Sequence, residues 1–305
     1  MIKYEWFTSV LRGKFFCKCI GDRVGKFILF DLDGTLLTDD KKIGQEDIER
    51  LGCFIQEGHH LAVATGRRYF SAREILNRYG IKMPIIANNG AVIRDQDDRL
   101  IFRKALDMNL IEKIIEASRD FPVCPVFHID GFHKAYDMVY HAKNFNSDLL
   151  DYLEDEPIRV LKIDNYLDLK DEEVLSTIYF GRDDILEDFQ EKLQEHYPNS
   201  LSMHILRNLD QHVGILEIMP HQVNKFFGAQ IMAQRLHKGP CDMITIGDDV
   251  NDLVLIQNAR VGIAMANGPA SVKSIADFVS DYDNNHCGAT QAIEKYLKGG
   301  FCHEY

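Results

Sequence analysis

Short, wholly apolar runs recur at both ends of this chain, each closed by a polar or glycine-containing turn and followed by a helical pattern. Phe27-Ile28-Leu29-Phe30 stops at Asp31, Leu61-Ala62-Val63-Ala64 at Thr65-Gly66, and Pro84-Ile85-Ile86-Ala87 at Asn88-Asn89-Gly90. Between them, residues 45–57 place Ile48, Leu51 and Ile55 on one helical face before Gly58, and residues 69–79 form a second helical stretch closed by Gly80. The alternation returns near the C-terminus. There Met243-Ile244-Thr245-Ile246, residues 261–264 and Phe278-Val279 read as strands, with helices predicted over 250–257, 270–276 and 288–297. A strand with no polar position is one buried on both faces. Such β–α repeats predict an α/β fold, a Rossmann-like parallel sheet with helices on both faces. In sheets of this kind functional groups collect at the carboxyl ends of the strands. Here those ends carry Asp31 and Asp33, Thr65 and Gly66, Asn89 and Gly90, and Asp248 and Asp252.

The middle of the chain breaks this pattern. Leu110, Ile111, Ile114 and Ile115 give a helical face after Asp107, and Ile185, Phe189 and Leu193 give another. Residues 123–129 and 132–136 flank Asp130-Gly131, a hairpin signal, and 213–218 form a strand before Pro220. This predicts an inserted α+β domain over 92–219, between sheet-domain segments 26–91 and 220–305. Residues 1–25 are expected to be a loose extension, since they lack the apolar core and cleavage site of a signal peptide.

Charge and cysteines narrow the function classes. The net charge of −12 argues against nucleic acid as a partner, which needs a basic footprint, and no polybasic patch is present to meet anionic lipid. No stretch approaches the roughly 20 apolar residues of a membrane span. The seven cysteines are scattered with no Cys-x-x-Cys pair, so neither a disulfide framework nor a structural zinc site is expected, and a reducing, cytoplasmic setting is. Oligomeric state is not readable from these features.

Four clusters carry chemistry. Asp31-Leu32-Asp33-Gly34-Thr35 follows an apolar strand directly, so two carboxylates can share one pocket, one as ligand or nucleophile and the other as acid/base. Gly34 permits a tight turn with positive φ. Ala64-Thr65-Gly66-Arg67 offers a hydroxyl and backbone N–H groups at a helix start, which suits an anion. Lys225 opens the helix that re-enters the sheet domain. Gly247-Asp248-Asp249-Val250-Asn251-Asp252 crowds three acids and an amide at a strand-to-helix turn, a hard-oxygen set suited to Mg²⁺ rather than zinc. Three rival motifs fail. The spacing of Gly34 and Lys42 does not make a calcium loop, Gly21 to Lys26 does not make a Walker loop, and no Gly-x-Gly-x-x-Gly occurs.

The four clusters, in this order and each at a strand or helix boundary, resemble the motifs of the haloacid dehalogenase superfamily of phosphotransferases, and most closely its Cof-type subfamily with a large α/β cap. Asp31-Leu32-Asp33-Gly34-Thr35-Leu36 matches the first motif, Ala64-Thr65-Gly66-Arg67 the second, Lys225 the third and Gly247 to Asp252 the fourth. The resemblance spans about residues 26–297 and implies a Mg²⁺-dependent phosphatase acting on a small phosphorylated metabolite, such as a sugar phosphate, through an aspartyl-phosphate. It implies Asp31 as nucleophile and Asp33 as acid/base. It further implies Asp31, the Asp33 carbonyl and Asp248 on the metal, and Leu32, Thr65, Gly66, Lys225 and Asn251 on the phosphoryl oxygens. Asp252 would orient Lys225 or the metal's water. In the cap, His128, Asp130, His133 and Tyr136 are candidate selectivity residues. A phosphomutase using the same site and a non-catalytic sensor of phosphorylated ligands are the rival functions. Phe226-Phe227 where the family has glycine, the shifted Asn267-Gly268 pair and Cys287 in an acidic position depart from its pattern.

Overall fold

The computed structural model describes residues 10–11, 14–15, 25–141, 159–206 and 214–299. The expected N-terminal extension lies largely outside them; its described part is a pair of two-residue antiparallel strands, β1 (Val10–Leu11) and β2 (Lys14–Phe15).

An eight-stranded sheet forms the first layer system. Its strands are β3 (Phe27–Phe30), β4 (His60–Ala64), β5 (Ile85–Ala87), β6 (Val92–Arg94), β7 (Leu100–Arg103), β14 (Met243–Gly247), β15 (Val261–Ala264) and β16 (Phe278–Val279), in the order β16-β15-β14-β3-β4-β5-β6-β7. From β16 to β5 all pairings are parallel; β6 and β7 add an antiparallel hairpin at one edge. The expected junction at residue 91 therefore falls before the last two strands of this sheet. All four residues of β3 are fully buried because alternate side chains enter two different cores. Ile28 and Phe30 pack with Leu51 and Phe54 of α1 (Gln45–Gln56) and with Ala292 and Ile293 of α8 (Gly288–Leu297). Phe27 and Leu29 pack with Ala229 and Met232 of α5 (Lys225–Arg235). This two-sided burial is what an unbroken apolar run encodes.

The chain runs outward from β3 through β4 and β5, then returns to the other side of β3 at β14. The strand order thus reverses between β3 and β14, and the crevice beyond their carboxyl ends is the expected ligand position in such a sheet.

The second sheet has six strands in the order β10-β9-β8-β11-β13-β12: β8 (Cys124–Ile129), β9 (Met138–His141), β10 (Val160–Ile163), β11 (Val174–Gly181), β12 (Leu201–Leu206) and β13 (Gly214–Pro220). All pairings are antiparallel except β9 with β10. Helices α3 (Met108–Ser118) and α4 (Asp183–His196) cover one face, burying Ile111, Ile114, Leu186, Phe189 and Leu193 against it.

Two local expectations change. The turn at Asp130-Gly131 is not a two-residue hairpin: β9 begins only at Met138. Asp130 is drawn to Arg94 (2.8 Å) and Phe132 packs edge-on against Tyr69 of α2 (Tyr69–Arg78), so this loop is held by the first sheet's side of the molecule. The helix predicted over 250–257 begins as a 3₁₀ turn, Val250–Asp252, and becomes α6 only at Leu253–Asn258. Among the described residues no helix is long and apolar enough to cross a membrane.

Candidate active site

The site is assembled at the reversal between β3 and β14. The Asp31 N–H donates to the Ile246 carbonyl (3.1 Å), which seats the turn after β3 on the neighbouring strand. Gly34 has φ +68°, and a Cβ there would stand 2.2 Å from Asp248 Oδ2, so only glycine lets the turn close over that carboxylate. Thr35 Oγ1 donates to Asp248 Oδ1 at 3.0 Å. On α5, Asn224 caps the first turn by accepting from the Phe227 N–H (2.9 Å), and this fixes the helix start that carries Lys225. Lys225 is fully buried, with Nζ 2.8 Å from both Asp31 Oδ1 and Asp252 Oδ1. Phe226 and Phe227 leave this geometry intact, because Phe226 joins the apolar core and Phe227 packs edge-on against Phe102.

Carboxylate oxygens of Asp31, Asp248 and Asp252 lie within 4.8 Å of one another. Burial pushes the carboxyls of Asp31 and Asp252 up despite Lys225. Burial and the charge of Asp252 push Asp248 up to about 7. Burial would lower the Lys225 ammonium, but Asp252 and Asp31 outweigh it and hold it protonated. Three carboxylates against one ammonium leave an excess of negative charge in a buried space. An all-oxygen donor set with that excess fits a divalent cation.

Asp33 stands apart from this cluster. Its side chain is 37% exposed, and it accepts a fork from Arg67, Nε to Oδ2 at 2.5 Å and Nη2 to Oδ1 at 2.7 Å, and a third bond from Lys41 Nζ at 2.7 Å. Burial opposes ionisation, but the two cations prevail and hold the carboxyl at about 2. Thr65, at the end of β4, accepts from the Arg67 N–H at 3.1 Å. The amides of Asn89 and Asn251 converge on Gly66, each 3.3–3.4 Å from where a Cβ would stand, and Asn251 Nδ2 donates to Asn89 Oδ1 at 3.2 Å. Leu32 is fully buried in the turn, and its carbonyl accepts from Thr35 and Leu37.

Thus Asp31, Lys225, Asp248 and Asp252 meet directly, while Thr65, Gly66 and Asn251 gather around Asn89. The candidates in the second sheet divide. His128 is buried and faces Asn88 and Ser176, each at 3.4 Å from Nδ1. Asp130 is locked between Arg94 and Arg103, Tyr136 donates to Glu172 at 2.9 Å, and the His133 ring packs edge-on against Phe132. Sequence reasoning did not single out Lys41, Glu217 or His204. Glu217 did leave a signal, an acid within the apolar run Ile215-Leu216-Glu217-Ile218-Met219.

Burial, aided by the charge of Arg68, pushes His128 down to about 3, against 6.5 for a free imidazole. The unfolded chain therefore binds the proton first, and His128 contributes stability that is full above about pH 6.5 and is lost as pH falls toward 3. Between pH 7 and pH 5 this one group should cost about 2 kcal/mol of stability. Urea unfolding of the wild type and of His128→Asn at the two pH values checks this: the variant should lose that share of the pH dependence, and an unchanged difference would refute it.

The sequence pattern of the haloacid dehalogenase-like hydrolases matches residues 28–293. Two Bacillus subtilis proteins named 5-amino-6-(5-phospho-D-ribitylamino)uracil phosphatase are relatives. YitU is 27% identical over 282 residues, covering 88% of this chain and 97% of that protein. YcsE is 24% identical over 272 residues, covering 89% and 96%. The crystal structure of a haloacid dehalogenase-like hydrolase from B. subtilis superposes with a TM-score of 0.77 at 21% identity, covering 88% of this chain and 99% of that one. A match over nearly the whole chain, on a sheet whose strand ends carry the expected acids, makes this protein a member of the haloacid dehalogenase-like hydrolase family.

Proposed function

We propose that the protein is a Mg²⁺-dependent phosphatase of a small phosphorylated metabolite, working through an aspartyl-phosphate on Asp31. The observation that carries this reading is the buried cluster in which Lys225 touches Asp31 and Asp252 while Asp248 completes a three-carboxylate group. Structural acids paired for stability have no need of such an excess of charge. A site for an anionic phosphoryl group and its counter-cation does. Relatives whose names denote phosphatases of a phosphoribityl compound support a phosphomonoester as substrate.

In this reading an Asp31 oxygen attacks phosphorus and the bond from phosphorus to the leaving oxygen breaks, with Asp33 giving that oxygen a proton. Asp33 then takes a proton from the water that attacks the phosphorus on Asp31, and the carboxylate and free phosphate result. Lys225 offsets the meeting of an anionic nucleophile with an anionic phosphate. Thr65, Gly66, Asn251 and the Leu32 N–H would hold the phosphoryl oxygens. Asp31, the Asp33 carbonyl and Asp248 would hold Mg²⁺, which when bound supplies charge neutralisation and keeps Asp31 ionised. Asp252 positions Lys225. The fork from Arg67 fixes the direction of Asp33 but also suppresses its basicity, so this contact must loosen for Asp33 to carry a proton. Residues of the second sheet would act as the cap that excludes water and selects the leaving group.

Phosphate release from para-nitrophenyl phosphate and a panel of sugar phosphates, with Mg²⁺ and with EDTA, tests the reading. Turnover should appear with Mg²⁺ and fall at least about 100-fold on chelation, in keeping with the several kcal/mol a bound metal supplies. Mg²⁺-independent turnover, or none on the whole panel, would overturn it.

A further inference from the structure

Arg68 follows directly on Thr65-Gly66-Arg67, yet its side chain crosses to the second sheet's part of the molecule. There its Nη1 donates to Asp137 Oδ1, and the two residues are only 5% and 3% exposed. Arg159, just before β10, donates from Nε to Asp137 Oδ2 at 3.2 Å. Its guanidinium also lies 3.9 Å from the centre of the Phe70 ring, in the first turn of α2. One buried carboxylate is therefore held between two guanidinium groups, and both of them bear on the start of α2.

Asp137 is a fixed anchor. Its N–H and that of Met138 donate to the Arg159 carbonyl at 3.0 and 3.1 Å, and its own carbonyl accepts from Ile129 at 3.0 Å. Arg159 Nη2 donates further to the Gly131 and Lys134 carbonyls at 2.6 and 3.0 Å. The start of α2 lacks the usual device for fixing a helix end. Arg68 is its N-cap residue, and no side chain caps it. A guanidinium has only donors and cannot accept from the first-turn N–H groups as Ser, Thr, Asn or Asp would. On its inner side the turn is stitched to the first sheet, where the Arg67 carbonyl accepts from Asn88 (2.9 Å) and the Thr65 carbonyl from Asn89 (3.0 Å). On its outer side the Arg68 side chain ties it to Asp137.

A buried ion pair is a poor source of net stability, because desolvation offsets the attraction; its best-attested use is to fix one arrangement against others. This pair joins the two halves of the molecule at the residue that ends the anion-binding turn. Resting on the phosphatase reading, we propose that Asp137 is a positioning residue: through Arg68 it sets the turn over 65–68 where Thr65 and Gly66 meet the phosphoryl group. The anion site of the first sheet is then complete only while the second sheet is seated on it. The same turn carries Arg67, whose fork holds Asp33, so a displaced turn disturbs the acid as well.

Asp137→Asn keeps the shape of the side chain and removes its charge. With Mg²⁺ present, its affinity for orthovanadate, a mimic of the phosphoryl group in transfer, should fall about 100-fold. Its kcat/KM for para-nitrophenyl phosphate should fall in step, since a misplacement of about 1 Å has effects of that order. Arg68→Met should show the same loss, and the double variant no more than either single one, as expected of two groups that act as a unit. A fall in Tm with vanadate affinity and kcat/KM unchanged makes the pair purely structural and overturns the proposal, and so do losses that add in the double variant. Should Asp137→Asn not fold, Arg68→Lys decides: it keeps the charge but loses the planar fork, so vanadate affinity should fall several-fold, and an unchanged affinity overturns the proposal. Amide hydrogen exchange over residues 66–72 in EDTA needs neither metal nor substrate. It should quicken in Asp137→Asn, and unchanged exchange overturns the proposal while leaving the phosphatase reading standing. A wild type that neither binds orthovanadate nor turns over any substrate defeats that reading, and the proposal with it.

Discussion

Asp31→Asn is expected to lower the rate of phosphate release by about 10⁴-fold or more, since loss of a nucleophile that works with its neighbours as a unit has effects of that order or larger. The same variant should be no less stable than the wild type in EDTA, and this second half makes the prediction sharp. Asp31 is buried beside Asp252 and Asp248, and burial together with those like charges raises its carboxyl despite Lys225. A carboxylate raised in this way destabilises the folded state whenever the pH is high enough to ionise it. The amide has nearly the same volume, keeps an oxygen for the Lys225 ammonium, and removes one charge from a crowded cluster; Asp252 still partners Lys225 at 2.8 Å. Single-turnover phosphate release and thermal unfolding in EDTA measure the two halves. Activity within tenfold of wild type would place the nucleophile elsewhere. A fall of many degrees in Tm with the loss of activity would make Asp31 a structural acid.

The trade of stability for chemistry also explains which parts of the molecule were legible in the sequence. The strands could be read because burial on both faces leaves no polar position: in β3, Phe27 and Leu29 enter one core and Ile28 and Phe30 the other. The acids could be read because they interrupt that pattern at its ends, where an open sheet places ligands. Asp31 and the turn that carries both Asp248 and Asp252 lie far apart in the chain, yet each declares itself by following an apolar strand. Glu217 does not. Its partner Asn89 is 128 residues away, and nothing in local spacing reports such a pairing. The acid in an apolar strand was visible, but only the two sheets brought together show what it faces. The Asp130-Gly131 turn failed for a related reason. Its residues suit a tight hairpin, but the ion pairs of Asp130 with Arg94 and Arg103 hold the loop open. Likewise, the start of α6 is tightened because the Asp249 N–H turns to Asp252 Oδ2 (3.3 Å), a contact local enough to write down but not to rank against an ordinary helical start.

Lys225 is the residue on which the whole cluster depends, and Lys225→Met is expected to be costly twice over. Methionine keeps the length and apolar stem of the side chain but removes the ammonium from between Asp31 and Asp252. Removing one partner of a buried ion pair typically costs 3–5 kcal/mol, because the remaining charge is left without compensation. Here two carboxylates are left facing each other. Catalysis should fall by about 10²- to 10⁴-fold, as when a preorganised charge is removed from a developing anion. The pH dependence separates this account from a packing defect. Without the ammonium, the carboxyls of Asp31 and Asp252, already raised by burial, rise further. The folded state then binds more protons than the unfolded chain above the ordinary carboxylate range, so stability falls as pH rises through the raised values. The variant should therefore lie closer to wild type at pH 5 than at pH 8 when both are unfolded with urea in EDTA. An equal loss at both pH values would mean that the methionine merely fits badly and that the charge balance of the cluster does not govern its stability. A divalent cation should act in the same sense as low pH: it should restore part of the variant's stability at pH 8 by neutralising the same carboxylates, while the phosphate-release rate remains low because the charge that met the phosphoryl group is still missing.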